Sequence, residues 1–324
     1  MYSFLALLSG FLLALMITMN GMLAQAYNIY LAAIILHVVA VIFSFILCRV
    51  RNEKFDFRQK PMWIYLGGIV GVFITMANNL SFGKISMTSI IALGLFGQIL
   101  FSIFIDIFGL FKMPKRKIHK SMVITFLFAL LGILLMLDNT VLNARLAILY
   151  SFGAGILVVL NRTINARLAE KIGALPSSFV NHLVGLPITI IIAFFVFYNT
   201  PSLMSVQLSL EPFIYLGGIF GVTVVYLSNI TVYKLSAFKL TIFTFVAQLF
   251  TGIALDMLMG LNISDASFNG GILISLGVLI NIILEKRAND KAAKQIEIRK
   301  QVLKMEEEHF NRINARYLQK ENEQ

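Results

Sequence analysis

The chain has 324 residues, 58% of them apolar and only 13% charged, whereas a soluble domain carries about a quarter charged residues. That balance excludes an ordinary soluble globule and points to an integral membrane protein. The formal net charge of +11 does not imply a nucleic-acid partner, because Lys and Arg collect on the cytoplasmic loops of membrane proteins.

A helix that crosses a bilayer needs about 20 mostly apolar residues. Runs of this kind lie at 3–23, 29–48, 61–81, 86–108, 120–138, 147–165, 174–198, 213–233, 238–259 and 269–285. Ten transmembrane helices in an all-α membrane protein are therefore predicted. The gaps between runs alternate between two faces. One face collects Arg49, Arg51, Lys112, Lys115, Arg167, Lys171, Lys234 and the basic residues of the C-terminal stretch, while the other collects Lys84 and Arg145. This asymmetry predicts that both termini are cytoplasmic. Cys48 is the one cysteine, so no intrachain disulfide can form.

The sequence repeats itself. Residues 64–107 align with 214–257, matching Tyr65–Gly68 to Tyr215–Gly218, Gly71 to Gly221, Asn79 to Asn229, Lys84 to Lys234, Gln98 to Gln248 and Asp106 to Asp256. Upstream, Gly10, Thr18, Asn20 and His37 meet Gly155, Thr163, Asn165 and His182. Shared greasiness does not place Asn, His, Gln and Asp in the same order, so a duplication is read. The predicted units are 1–138 and 139–285, each of five helices. Five is odd, so the second unit enters the membrane from the opposite face. Inverted repeats of this type recur in secondary transporters, with the substrate near the midplane.

The segments "SGFLLALMITMNGMLA", "YLGGIVGV" and "GLFGQILFSIFIDIFGLF", with "RTINARLA", "YLGGIFGV" and "FVAQLFTGIALDMLMG" in the second half, resemble the YdcZ-like branch of the drug/metabolite transporter (DMT) superfamily, two five-helix units in tandem. The second half departs from the pattern where Ala247 precedes the Gln and where the last Gly is displaced to Gly260. The resemblance implies the ten-helix fold and a transporter role. It supplies no substrate.

Ionisable residues within spans are costly and usually face the bundle interior. His37, Asp106, Arg162, His182, Lys239 and Asp256 are the residues to explain. Arg162 and Lys239 are within reach of the inner face and are expected to snorkel. The other four form two repeat-related pairs. Gly94, Gln98, Ser102 and Asp106 share a four-residue spacing, and Thr244, Gln248, Gly252 and Asp256 repeat it, so each set makes one stripe on a helix. Either these stripes line a substrate path, with Gln98 and Gln248 near the midplane, or they join helices. Asp106 and Asp256 stand near helix C-termini, where the dipole disfavours a carboxylate. They serve ion coupling or gating, or they are held by cations or helix N-termini of neighbours. His37 and His182 are candidates for carrying a proton, or are neutral residues bonded between helices. Asn20, Asn165, Asn79 and Asn229 stand near helix ends, where capping or bridging is expected. No metal-ligand spacing, phosphate-loop Lys or nucleophile pattern occurs, so no cofactor, no metal and no enzyme activity are expected.

Residues 286–324 are charged and predicted helical, with Ile296, Leu303, Phe310 and Tyr317 recurring every seventh position. One apolar line is thin for a coiled coil, so a solvated cytoplasmic helix is expected, with self-association into a homo-oligomer left open. The reading as a whole is a secondary transporter of the bacterial plasma membrane. It moves a small organic metabolite or drug-like molecule by alternating access, with proton coupling open. The alternative is a membrane-anchored interaction protein that acts through its tail. A lipid bilayer and a small-molecule substrate are the expected partners, and nucleic acid is not.

Overall fold

Long stretches of Leu, Ile, Phe and Val have no face to give to water. In lipid the backbone must satisfy its own polar groups, which leaves the helix as the local solution. A computed structural model shows this outcome. It describes residues 1–53, 61–115, 120–136, 144–204 and 208–260, and in part 265–306. The helices are α1 (Tyr2–Ala26), α2 (Ile29–Val50), α3 (Gly67–Ser81), α4 (Met87–Phe108), α5 (Lys120–Met136), α6 (Arg145–Ile172), α7 (Ala174–Asn199), α8 (Gly217–Thr231), α9 (Ala237–Leu258) and α10 (Phe268–Leu284). Eight of the spans are long and apolar enough to cross a membrane, those containing α1–α4 and α6–α9; the apolar parts of α5 and α10 are shorter. No sheet forms among the described residues, which is the all-α, multi-pass class expected. The expected boundary at 138/139 lies outside the described residues, as do Ile296, Phe310 and Tyr317 of the tail register.

Two expected spans differ in detail. The run 61–81 begins with a 3-10 turn over Met62–Tyr65, and α3 proper starts at Gly67. The run 147–165 is much longer, because α6 continues to Ile172. Its second part holds Asn161, Arg162 and Asn165, which hydropathy reads as an approaching helix end. In the fold these residues are buried against other helices.

Contacts between the two halves come in equivalent sets. Helix α1 lies on α9 as α4 lies on α6, and α1 lies on α8 as α3 lies on α6. Three pairs are their own equivalents. In α4/α9, Asp106 lies at Ala237 and Asp256 lies at Met87, so the two helices are antiparallel. In α2/α7, Tyr30 meets Phe197, and Phe45 meets Phe179, again antiparallel. In α5/α10, Gly132 faces Gly270, and Thr125 donates to the Gly277 carbonyl at 3.1 Å.

Close packing at matched places is made by glycine. A Cβ on Gly10 of α1 would run into the Thr244 carbonyl on α9, and a Cβ on Gly155 of α6 would run into the Gly94 carbonyl on α4. Gly10 and Gly155 are equivalent, as are Thr244 and Gly94. The same holds for the doubled Gly-Gly step: Gly68 faces the Asn181 carbonyl and Gly185 on α7, and Gly218 faces the Leu36 carbonyl and Ala40 on α2. Small residues let helix backbones approach where no hydrophobic force separates protein from lipid.

Candidate functional site

The two aspartates are the clearest paired feature. Asp106, at the end of α4, accepts from the backbone N–H groups of Ala237 (3.3 Å) and Phe238 (3.0 Å), the first residues of α9. Asp256, at the end of α9, accepts from Met87 N (3.0 Å) and Thr88 N (2.9 Å), the first residues of α4, and from the Thr88 hydroxyl. Each carboxylate thus caps the N-terminus of the antiparallel neighbour. The dipole of its own helix is unfavourable there, but the dipole of the neighbour is favourable, and orphan N–H groups find an acceptor. Ser86 and Ser236 complete the same termini, accepting from Ser89 N and Lys239 N. This is the helix-terminus partner left open for both residues in the sequence.

His37 and His182 come together at the centre of the α2/α7 pair, ring centroids 5.7 Å apart and edge-on. Both are buried. His37 donates from Nδ1 to the Ala33 carbonyl at 2.8 Å, which leaves its Nε2 facing Gly185 of α7. Neither ring nitrogen of His182 makes a geometrically sound hydrogen bond among the described residues.

The stripes on α4 and α9 are buried, with Gln98, Ser102, Thr244 and Gln248 all nearly inaccessible. Ser102 shares a hydrogen bond with Thr241 of α9, 2.8 Å apart. Gln248 has no partner for its Oε1 among the described residues. The small members of the stripes, Gly94 and Gly252, and the backbone of Thr244, serve as packing surfaces: Gly252 faces Ile91 of α4. Asn20 and Asn165 each aim Oδ1 at the first glycine of a helix in the other half, Gly217 and Gly67. Asn229 donates to the Ala174 carbonyl at 3.0 Å, whereas the side chain of Asn79 has no partner among the described residues.

Several buried polar residues were not singled out by the repeat. Asn161 donates to the Gly67 carbonyl (2.7 Å) and to Asn181 Oδ1 (3.1 Å), and Asn165 donates to Asn161 Oδ1 (3.0 Å) and Asn181 Oδ1 (2.8 Å). Arg162 does not snorkel. It is 5% exposed and donates from Nη2 to the Thr241 hydroxyl at 2.7 Å. Asn161, Arg162, Asn181 and Thr241 align with Met16, Ile17, Leu36 and Ile91, so a search for matched polar residues passes over them. A buried cation in a predicted span was the available signal. Among the described residues no group of three or more His, Cys, Asp or Glu side chains is placed to hold a metal.

The model of a family described as "Putative inner membrane exporter, YdcZ" matches residues 1–135 and again 146–284. The chain belongs to this DMT YdcZ family. Two matches in one chain establish the internal duplication. DMT proteins are membrane transporters and not enzymes, in accord with the expected absence of catalytic activity. No protein of curated function matches the sequence. Among 28 matching solved chains, one titled "Crystal structure of protein" has a TM-score of 0.61 at 14% identity, covering 89% of this chain and 97% of its own. At that identity the likeness concerns the fold alone.

Proposed function

We propose that this DMT YdcZ protein is a secondary active transporter of a small organic molecule, working by alternating access between two inverted five-helix halves of a ten-span bundle. The observation that carries this reading is the paired cap: Asp106 on α9 and Asp256 on α4 tie the same two helices at opposite ends by equivalent bonds. Equivalent closures at both ends are what a carrier needs if each end is to open in turn. Antiparallel pairing of equivalent helices supports inverted topology, and the positive loops assign the Asp106 end to the cytoplasm. On this reading both termini are cytoplasmic, the membrane is the bacterial plasma membrane, and the direction is export, as the family description has it.

Gln98 and Gln248, with Ser102 and Thr244, are the substrate-path residues in this scheme. The His37–His182 pair, edge-on at 5.7 Å, is the candidate for proton coupling in this scheme, and imidazoles this close carry no more than one proton charge between them. The aspartates act as gates.

Counterflow in proteoliposomes tests the mechanism. A molecule found by thermal-shift screening of the purified protein is loaded inside, and its labelled form is supplied outside. Alternating access predicts saturable uptake accelerated by the inside load. Uptake that rises linearly with concentration and ignores the inside load overturns the reading. In the same assay Gln98→Ala and Gln248→Ala each lower flux, by about tenfold for the loss of one polar contact worth about 1.4 kcal/mol, with protein level in the membrane unchanged. Normal flux in both removes the two glutamines from the path.

A further inference from the structure

The guanidinium of Arg162 is buried between α6 and α9 and, among the described residues, makes one hydrogen bond, to Thr241. Its Nε has no acceptor among the described residues. Among those residues no carboxylate comes within ion-pair distance of it; the charge of Asp106 acts on it from farther away. A buried cation with no carboxylate in ion-pair contact is costly in any protein and more so inside a membrane domain, and a carboxylate farther away offsets only part of that cost.

The scaffold does not explain this cation. Asp106, the carboxylate whose charge reaches it, accepts from two backbone N–H groups of α9. The equivalent cap by Asp256 is complete, and the residue equivalent to Arg162 in that half is Ile17. Asp-to-helix capping therefore does not require an arginine. The residue equivalent to Thr241 is Ile91, so the hydroxyl that orients the guanidinium is present in one half only, together with the arginine. From Thr241 the polar line continues to Ser102 on α4, and Gln98 lies one turn farther along the same stripe.

We propose that Arg162 recognises the carboxylate or phosphate group of a small soluble substrate, so that the cargo of this transporter is anionic. The proposal rests on the transporter reading above. A planar guanidinium with an unused Nε edge suits two parallel hydrogen bonds to an oxyanion. Thr241 fixes the plane of the fork, and Ser102 and Gln98 meet the uncharged part of the same molecule. The equivalent place in the other half, with Ile17 and Ile91, offers no such site. A lipid headgroup is the other source of such an oxyanion, but Arg162 is enclosed by helices and not turned to the bilayer.

The test uses the purified full chain in detergent and a probe set matched in size: lactate, succinate and glycerol 3-phosphate as anions, glycerol and glucose as neutral molecules, choline as a cation, and phosphatidylglycerol in mixed micelles. The expected result is a saturable thermal shift with at least one soluble anion. Its apparent affinity falls at least tenfold in Arg162→Gln and less in Arg162→Lys, which keeps the charge but not the fork. A response confined to glycerol, glucose, choline or phosphatidylglycerol, or to no probe at all, overturns the proposal. An anion shift equal in wild type and Arg162→Gln overturns it as well. If Arg162→Gln is not monodisperse, Thr241→Val is read in its place, and an unchanged anion affinity there has the same force. Arg162-dependent binding with no counterflow of the bound anion leaves the site standing and removes the transporter reading. Counterflow of a neutral molecule, unchanged in Arg162→Gln, does the reverse.

Discussion

Asp106 and Asp256 show how a residue that is poorly placed on its own helix can be well placed in the bundle. Each satisfies two backbone donors of a neighbour that have no intrahelical acceptor. Bonds to a charged acceptor are worth about 1.5–3 kcal/mol. Asp106→Ala and Asp256→Ala are therefore expected to lower stability by about that amount each, read as a fall in melting temperature in detergent. Asn at either position keeps one acceptor oxygen and is expected to fall between Ala and wild type. A variant that melts like wild type would show that the cap contributes nothing. The sequence made the equivalence of these aspartates legible through the repeat. Their partners were not legible, because spacing says which residues share a face but not which helix that face meets. Arg162 was misread for a related reason: its distance from the helix end allowed snorkelling, and only packing against α9 decides that it turns inward. Asn161, Asn181 and Thr241 have apolar counterparts in the other half, Met16, Leu36 and Ile91, so the repeat carries no sign of them.

The helices follow the apolar runs closely, because length and hydropathy are what a bilayer selects. The exceptions are informative. Helix α6 outlasts its apolar run since Asn161, Arg162 and Asn165 are paid for by contacts with α3, α7 and α9 rather than by lipid. The crossing points α1/α9 and α4/α6 depend on Gly10 and Gly155, each pressed against a backbone carbonyl. A backbone carbonyl cannot step aside as a side chain can. Gly10→Ala and Gly155→Ala are expected to cost about 1–3 kcal/mol each as overpacking, and similar amounts at the two sites because the contacts are equivalent. Gly153, two residues before Gly155, offers a control: a Cβ there meets nothing within 4 Å. Gly153→Ala is expected to be neutral or stabilising by up to about 1 kcal/mol. Thermal unfolding of the three variants side by side checks this, and equal losses at all three would contradict the close crossings.

For the whole molecule, the transporter reading proposed above puts the working parts within the two family matches, residues 1–135 and 146–284. Deletion of 286–324 is accordingly expected to leave counterflow at least half of wild type when corrected for protein amount. Loss of flux with a folded core would favour a protein that acts through its tail. The halves are matched in their caps and crossings, yet they are not copies. One end of the bundle holds Asn161, Asn165 and Asn181 joined by three side-chain hydrogen bonds. At the other end Met16, Asn20 and Leu36 occupy the equivalent places, and two of the three have no polar side chain to bond; the Oδ1 atoms of Asn20 and Asn165 alike have no partner among the described residues. Hydrogen bonds of this kind contribute about 0.5–1.5 kcal/mol each, enough to shift a two-state ratio severalfold. On the alternating-access reading proposed above, such a carrier is expected to have a waiting posture: while empty it spends most of its time with the asparagine end shut, and a visitor from the other side finds the door already open. Replacing Asn181 by the leucine of the other half would shorten that wait, and the expected sign is a more even labelling of the two ends by an impermeant probe.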